Sequence, residues 1–314
     1  MNDPAKVSVQ RCIPQGYLAA IALLALTCKT NIGIASSSEA PPPPQFELSV
    51  TPAYQGKEDL RTGGQLSAHT AIVRAAYTNS LNDGSFFGLT LGYDYKDYDI
   101  SRHTALGAEP PWTIVRHIGV GAPIFLAGSG SWGYYFSPAL EISRADGAKW
   151  SDSLQYGGLV AAIKQVDAQR RIGFGISLSE ALERVYAYPV VIVDWQITDR
   201  LRIANPSPGG AADGAGVELD YSLGPWVLGA GSGYDMRRFR LSAHGALPDG
   251  IGQQRQNIIY LQARYTLGHV LDVAVFTGAA FEGRVRVEDA QGHLLSERKS
   301  GAAPLAGLTF HVRF

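Results

Sequence analysis

The residues with chemistry to offer are a set of alternating charges. Asp94, Lys96, Glu141, Asp194, Glu218, Asp220, Arg264, Asp272, His311 and Arg313 alternate with apolar residues, as in Val217-Glu218-Leu219-Asp220-Tyr221, with Asp97 after Lys96 the one charged neighbour. Successive side chains of a strand point to opposite faces, so these groups share a face that is the reverse of the apolar one. If the apolar face meets lipid, the charged face lines an interior, where each group must be hydrated or paired. Two readings follow: ion pairs bracing a wall, or a polar path whose mixed charges favour small polar solutes.

Other constellations are weaker. The histidines His69, His103, His117, His244, His269, His293 and His311 fall in no H-E-x-x-H or other tight ligand spacing, so no metal or cofactor is expected. Ser242 and His244, two apart, face one side of a strand, but catalysis needs a third residue to orient the base, and none is assignable. A hydrolase therefore stays a minor alternative, and the chain reads as no enzyme. Gly128, Gly130 and Gly133 match G-x-G-x-x-G, yet a strand follows where the dinucleotide motif needs a helix, so the glycines read as a hairpin turn. Gly229, Gly231 and Gly233 read as a smooth interior face or a bend.

The elements that position these residues show period two. Trp132, Tyr134, Phe136, Pro138, Leu140 and Ile142 alternate with small or polar residues, as do Phe87 to Tyr95 and Ile172 to Leu178. Many runs reach the ~9–11 residues that a tilted strand needs to cross a bilayer. Aromatics such as Tyr93, Tyr95, Trp132, Tyr134, Trp195 and Trp226 gather at run ends, where girdles meet the interfaces. Tight connections at 79–84, 127–131, 166–169, 198–200, 224–225 and 268–269 alternate with longer ones at 55–64, 97–111, 145–151, 183–189, 205–216, 243–254 and 286–301. The pattern predicts an all-β fold: one closed antiparallel transmembrane barrel of about 14 strands over 46–314, with 12 as the alternative. Acidic loop residues such as Asp213 and Asp249 are expected in bulk water. The run Asn205-Pro206-Ser207-Pro208-Gly209-Gly210 is expected to be a rigid turn over the barrel mouth.

Lys6, Arg11 and the apolar stretch from Tyr17 to Leu26 read as a signal peptide over 1–35, too short to span a bilayer as a helix. Cleavage is expected after Ala35, with Ala40 as the alternative, leaving a proline-rich periplasmic leader at 36–45. Both cysteines, Cys12 and Cys28, precede that cut, so no disulfide framework is expected. A net charge of −1 argues against a nucleic-acid partner.

Leu308, Phe310, Val312 and Phe314 form an apolar face opposite Thr309, His311 and Arg313. This resembles the C-terminal strand that the barrel insertion machinery recognises, with Phe310, Val312 and Phe314 as the signal. The segments Trp195-Gln196-Ile197-Thr198-Asp199-Arg200-Leu201, Asn205 to Gly210 and Gly216-Val217-Glu218-Leu219 resemble an uncharacterised family of outer-membrane barrels, domain of unknown function 6268. The resemblance implies a barrel in the cell outer membrane, in contact with its lipids, and implies no catalytic residues. The leading functional expectation is a passive or weakly selective channel for small polar solutes. A structural or surface-interaction barrel is the alternative.

Overall fold

In the computed structural model, residues 43–61, 63–101, 110–213, 215–268 and 270–314 are described. The expected signal peptide and most of the leader lie outside them. Sixteen strands follow in order: β1 (Gln45–Asp59), β2 (Gln65–Ser80), β3 (Phe86–Ser101), β4 (Ile114–Gly121), β5 (Ile124–Ala127), β6 (Trp132–Ala145), β7 (Leu154–Asp167), β8 (Arg170–Glu180), β9 (Val185–Gln196), β10 (Leu201–Ala204), β11 (Gly216–Leu223), β12 (Trp226–Arg240), β13 (Ile251–Leu267), β14 (Leu271–Glu288), β15 (Leu294–Lys299) and β16 (Ala303–Arg313). They fill fourteen places in one closed antiparallel wall. β4 and β5 share the place between β3 and β6, interrupted at Pro123, which has no N–H to give the ladder. β15 and β16 share the place after β14. The seam is β1 against β16, where Leu48 faces Val312 and Val50 faces Phe310. Beyond it, the Phe314 N–H donates to the Phe46 carbonyl at 2.9 Å.

The outer surface explains why the wall must close. Leu89, Leu91, Phe136, Leu140, Val160, Phe174, Ile176, Leu219, Leu261 and Phe310 are exposed, Phe174 at 67% and Leu261 at 63%. They sit on successive outward positions of neighbouring strands and form a continuous apolar belt. Such a patch far exceeds what a water-soluble surface tolerates, and only hydrocarbon covers it. Trp132, Trp195 and Trp226 stand at the short-turn end of the belt. Lys164 lies over the Trp132 ring at 5.7 Å and Arg170 over Trp195 at 5.9 Å.

The strands run further than their alternation suggested. Segments 55–59, 97–101, 185–189, 251–254 and 286–288, together with 294–299, were expected in long loops and are strand. Past the belt, strands no longer separate lipid from interior, and both faces carry polar or buried residues. There Leu60, Leu66, Tyr98, Trp112, Phe239, Leu241, Val285 and Val287 pack into an apolar core that fills the long-loop end. Trp112 meets the Phe239 ring edge-on at 5.0 Å.

Belt and cap differ in what surrounds equally exposed leucines. Leu261 belongs to the belt, whereas Leu295 lies on β15 beside the 289–293 turn. Leu261→Arg is expected to destabilise the barrel by about 2–4 kcal/mol, as an arginine facing mid-bilayer lipid does. Leu295→Arg is expected to be near neutral. Urea unfolding from lipid vesicles measures both.

Candidate functional site

Of the ten alternating charges, Asp94, Lys96, Glu141, Glu218, Arg264, Asp272, His311 and Arg313 border a central cavity, and Asp194 and Asp220 are held in ion pairs beside it. Nearest the short-turn end, Arg264 Nη2 is 2.9 Å from Asp220 and 3.6 Å from Glu218. Glu218 also accepts from the Tyr260 hydroxyl at 2.6 Å and from Gln262 Nε2 at 2.7 Å. Beside the seam, Asp272 pairs with Arg313, and His311 lies 3.7 Å from Asp272 and, across the seam, 3.7 Å from Glu47. Asp194 is held by Arg171 and, at 2.7 Å, by Arg202. Glu141 lines the cavity opposite these groups. Phe310 points outward, as do the half-exposed Val312 and the exposed Phe314.

A second layer of charge lies deeper. Asp94 is gripped by Arg74 from β2 and Arg237 from β12. Lys96 donates to Gln254 Oε1 at 3.0 Å, which also accepts from the Tyr98 hydroxyl at 2.8 Å. Gln55 and Gln256 exchange amide hydrogen bonds at 3.1 and 3.0 Å. Interior glycines fit bulky neighbours: a Cβ at Gly231 would meet the Tyr260 ring at 2.4 Å.

The proline–glycine run does not sit over the mouth. Residues 205–213 turn into the barrel and cross it. Thr51 of β1 donates to the Gly209 carbonyl, and Asp213 pairs with Arg74, both on the far wall. Gly209 has φ +76, and a Cβ there would sit 2.5 Å from Ser49 Oγ. Ala212 packs among Ile258, Tyr260, Phe276 and Leu305. Asp213, expected in bulk water, is thus a half-buried strut. The sequence carried a signal for this: alanines and glycines at 209–216 suit a segment packed between walls better than one in solvent. Asn205 ends the wall beneath the crossing. Its Oδ1 accepts from Val193 N–H at 2.9 Å, and its Nδ2 donates to the Val191 and Gly216 carbonyls at 3.2 and 2.9 Å.

What remains is a cavity of about 430 Å³, bounded by this crossing, Arg74, Asp94, His117, Glu141, Glu218 and Arg264. Ser242 and His244 lie outside it, in the loop after β12, where the His244 backbone N–H donates to Ser242 Oγ at 3.1 Å. Gly128 and Gly130 form the β5–β6 turn, with Gly130 at φ +72. His293 meets Asp289 in the β14–β15 turn. His103 and His269 lie outside the described residues. Among the described residues, no group of three or more His, Cys, Asp and Glu side chains converges as a metal site.

Three solved structures are similar over most of their length. An outer membrane channel from Pseudomonas putida F1 is 10% identical, with TM-score 0.49, over 89% of this chain and 99% of that one. The Pseudomonas putida toluene transporter TodX is 12% identical, with TM-score 0.40, over 94% and 95%. A Pseudomonas aeruginosa FadL homologue is 13% identical, with TM-score 0.39, over 86% and 89%. No curated protein matches. The family model for the domain of unknown function DUF6268 matches residues 131–292, from β6 to the turn after β14, which is more than half of the chain. That span contains the Trp195 to Leu201 turn, the crossing segment and the Glu218–Asp220 strand, and the chain belongs to the DUF6268 family.

Proposed function

We propose that this outer-membrane barrel is a narrow, weakly selective channel for small solutes, with residues 205–213 as its constriction. The observation that carries the reading is the cavity itself. A chain that needed only a stable wall has no use for a space of about 430 Å³ bounded by charged side chains. Most charges around it are matched by an opposite one within 4 Å, as in Arg264 with Asp220 and Arg74 with Asp213. Matched pairs leave a weak net field, so size rather than charge sign governs passage.

The pairs also explain how the crossing stays in place. A loop ordered across a lumen loses backbone freedom worth ~1–2 kcal/mol per residue. The Arg74–Asp213 pair, the Thr51–Gly209 hydrogen bond and the packing of Ala212 offset that cost. Loosening them should widen the path.

One observation favours the second reading, a barrel without transport: the apolar core that fills the long-loop end. Conductance separates the two. In planar bilayers, replacing residues 206–213 with a short glycine–serine turn is expected to raise single-channel conductance several-fold. Arg74→Gln is expected to give intermediate, flickering openings. Silence of all three proteins would favour the non-transporting barrel.

Selectivity gives an independent check. Glu218→Gln with Asp220→Asn leaves Arg264 without its carboxylate partners. The reversal potential in a salt gradient is expected to move toward anion preference, because charges in a narrow passage are poorly screened. Asp249→Asn, in the loop before β13, is expected to leave it unchanged.

A further inference from the structure

The wall is complete at the short-turn end and incomplete above the crossing. β10 has four residues and pairs with β9 only at Asp194 to Gln196, and β11 pairs with β12 only from Trp226 to Gly233. The outer half of β9, from Val185, is therefore paired in the ladder with β8 alone, and β12 beyond Tyr234 is paired with β13 alone until it reaches Arg240.

These two free edges do not pair with each other. β12 instead passes inside β9. Met236, Arg238 and Arg240 occupy positions of β12 that face outward lower down, yet Arg238 is 3% exposed. Its guanidinium donates to the Ala181 and Leu182 carbonyls in the β8–β9 turn, and Gln155 on the inner face of β7 donates to its carbonyl. Arg240 then forms a parallel bridge with Arg144 of β6. At this height a smaller ring runs from β6 through β4, β3 and β2 to β1, crosses to β15 by the single Leu60–Ser300 bridge, and continues through β14 and β13 to β12. β7, β8 and β9 stand outside it as a three-stranded flap.

Between flap and ring lies a slit, closed in this structure by side-chain contacts. Tyr186 and Tyr188, stacked at 5.8 Å, face it from β9. Met236 faces it from β12, with Arg255 beside Met236 in register on β13. The Tyr188 hydroxyl donates to Met236 Sδ at 3.4 Å, and that of Tyr186 to Gln253 Oε1 at 3.3 Å. Tyr188, Tyr234 and Met236 also bound the central cavity, so the slit borders it.

The free edge of β9 is adapted to lie open. Val193 and Val191 turn their ladder groups to this side, where Asn205 satisfies them. The next such position is Pro189, which has no N–H to leave unpaired. Pro189 is in register with the belt residue Ile176, so the slit begins at the height of the lipid.

We infer that this slit is a side exit from the lumen into the bilayer, for small amphipathic molecules with an apolar body and one polar group. The inference rests on the channel reading. The tyrosine faces and the methionine suit the body, and the hydroxyls and Arg255 suit the polar end. A fully hydrated solute gains nothing from leaving sideways into hydrocarbon, whereas an amphipathic one does.

The test uses the full chain in the outer membrane of a porin-deficient Gram-negative host. The barrel has no cysteine of its own, since Cys12 and Cys28 lie outside the described residues. Tyr188→Cys with Met236→Cys is bridged by a short bis-maleimide, because the long tyrosine leaves the two thiols too far apart for a disulfide. The bridged protein is expected to slow entry of N-phenyl-1-naphthylamine into the membrane several-fold against a monofunctional maleimide control. Tyr188→Ala is expected to speed it. Unchanged entry in both, with planar-bilayer conductance intact, would overturn the side exit and leave the channel standing. Absence of both entry and conductance would overturn both.

Discussion

Every feature of this protein answers to one constraint: a backbone N–H or C=O facing hydrocarbon must find a partner within the protein. The β1–β16 seam is the direct answer, because an open sheet would leave two rows of unpaired groups in lipid. Pro123 answers it in another way, at the one break in the β4–β5 place. The main chain there still engages both neighbours, with Gly88 N–H donating to the Pro123 carbonyl at 2.8 Å and Ala122 N–H to Pro138 at 3.0 Å. The same demand shapes the interior, where charges removed from bulk water are matched in pairs rather than left single.

The fold was legible because the belt imposes its period on the sequence. Phe136, Leu140, Leu219 and Leu261 meet lipid, and their neighbours do not, so a two-residue rhythm survives wherever the wall has two different solvents. About fourteen strands, with twelve as the alternative, could be read from that rhythm together with the alternation of tight and long connections. Above the belt the sense of the alternation reverses at 97–101, where Tyr98 and Ile100 are buried and Asp97 and Asp99 exposed, and the rhythm is broken at 55–59 and 294–299 although the ladder continues. Strand there rests on pairing between distant segments, such as Val285 with Arg298, which no local window records.

The interior was legible as a face but not as an arrangement. That Glu218, Asp220, Arg264 and Asp272 share one side follows from parity. That Asp94 also meets Arg237 does not, because partners on distant strands are set by the barrel's curvature. The crossing segment shows the same gap. Two prolines and two glycines at 206–210 announce a turn, and nothing local says whether it bends outward or inward. The inward course depends on Asp213 finding Arg74, a contact between β2 and a loop far along the chain.

The seam carries a consequence for how the molecule comes to exist. Glu47 pairs with Arg313, so the longest separation along the chain belongs to the contact that completes the wall. Loop-closure entropy delays such a contact until nearly all others have formed. Before it does, the chain is a curved ribbon with two adhesive margins, each able to capture another ribbon as readily as its own far side. Biogenesis of this protein is therefore a race between self-closure and cross-pairing, decided by whatever shields those margins until the last strand arrives.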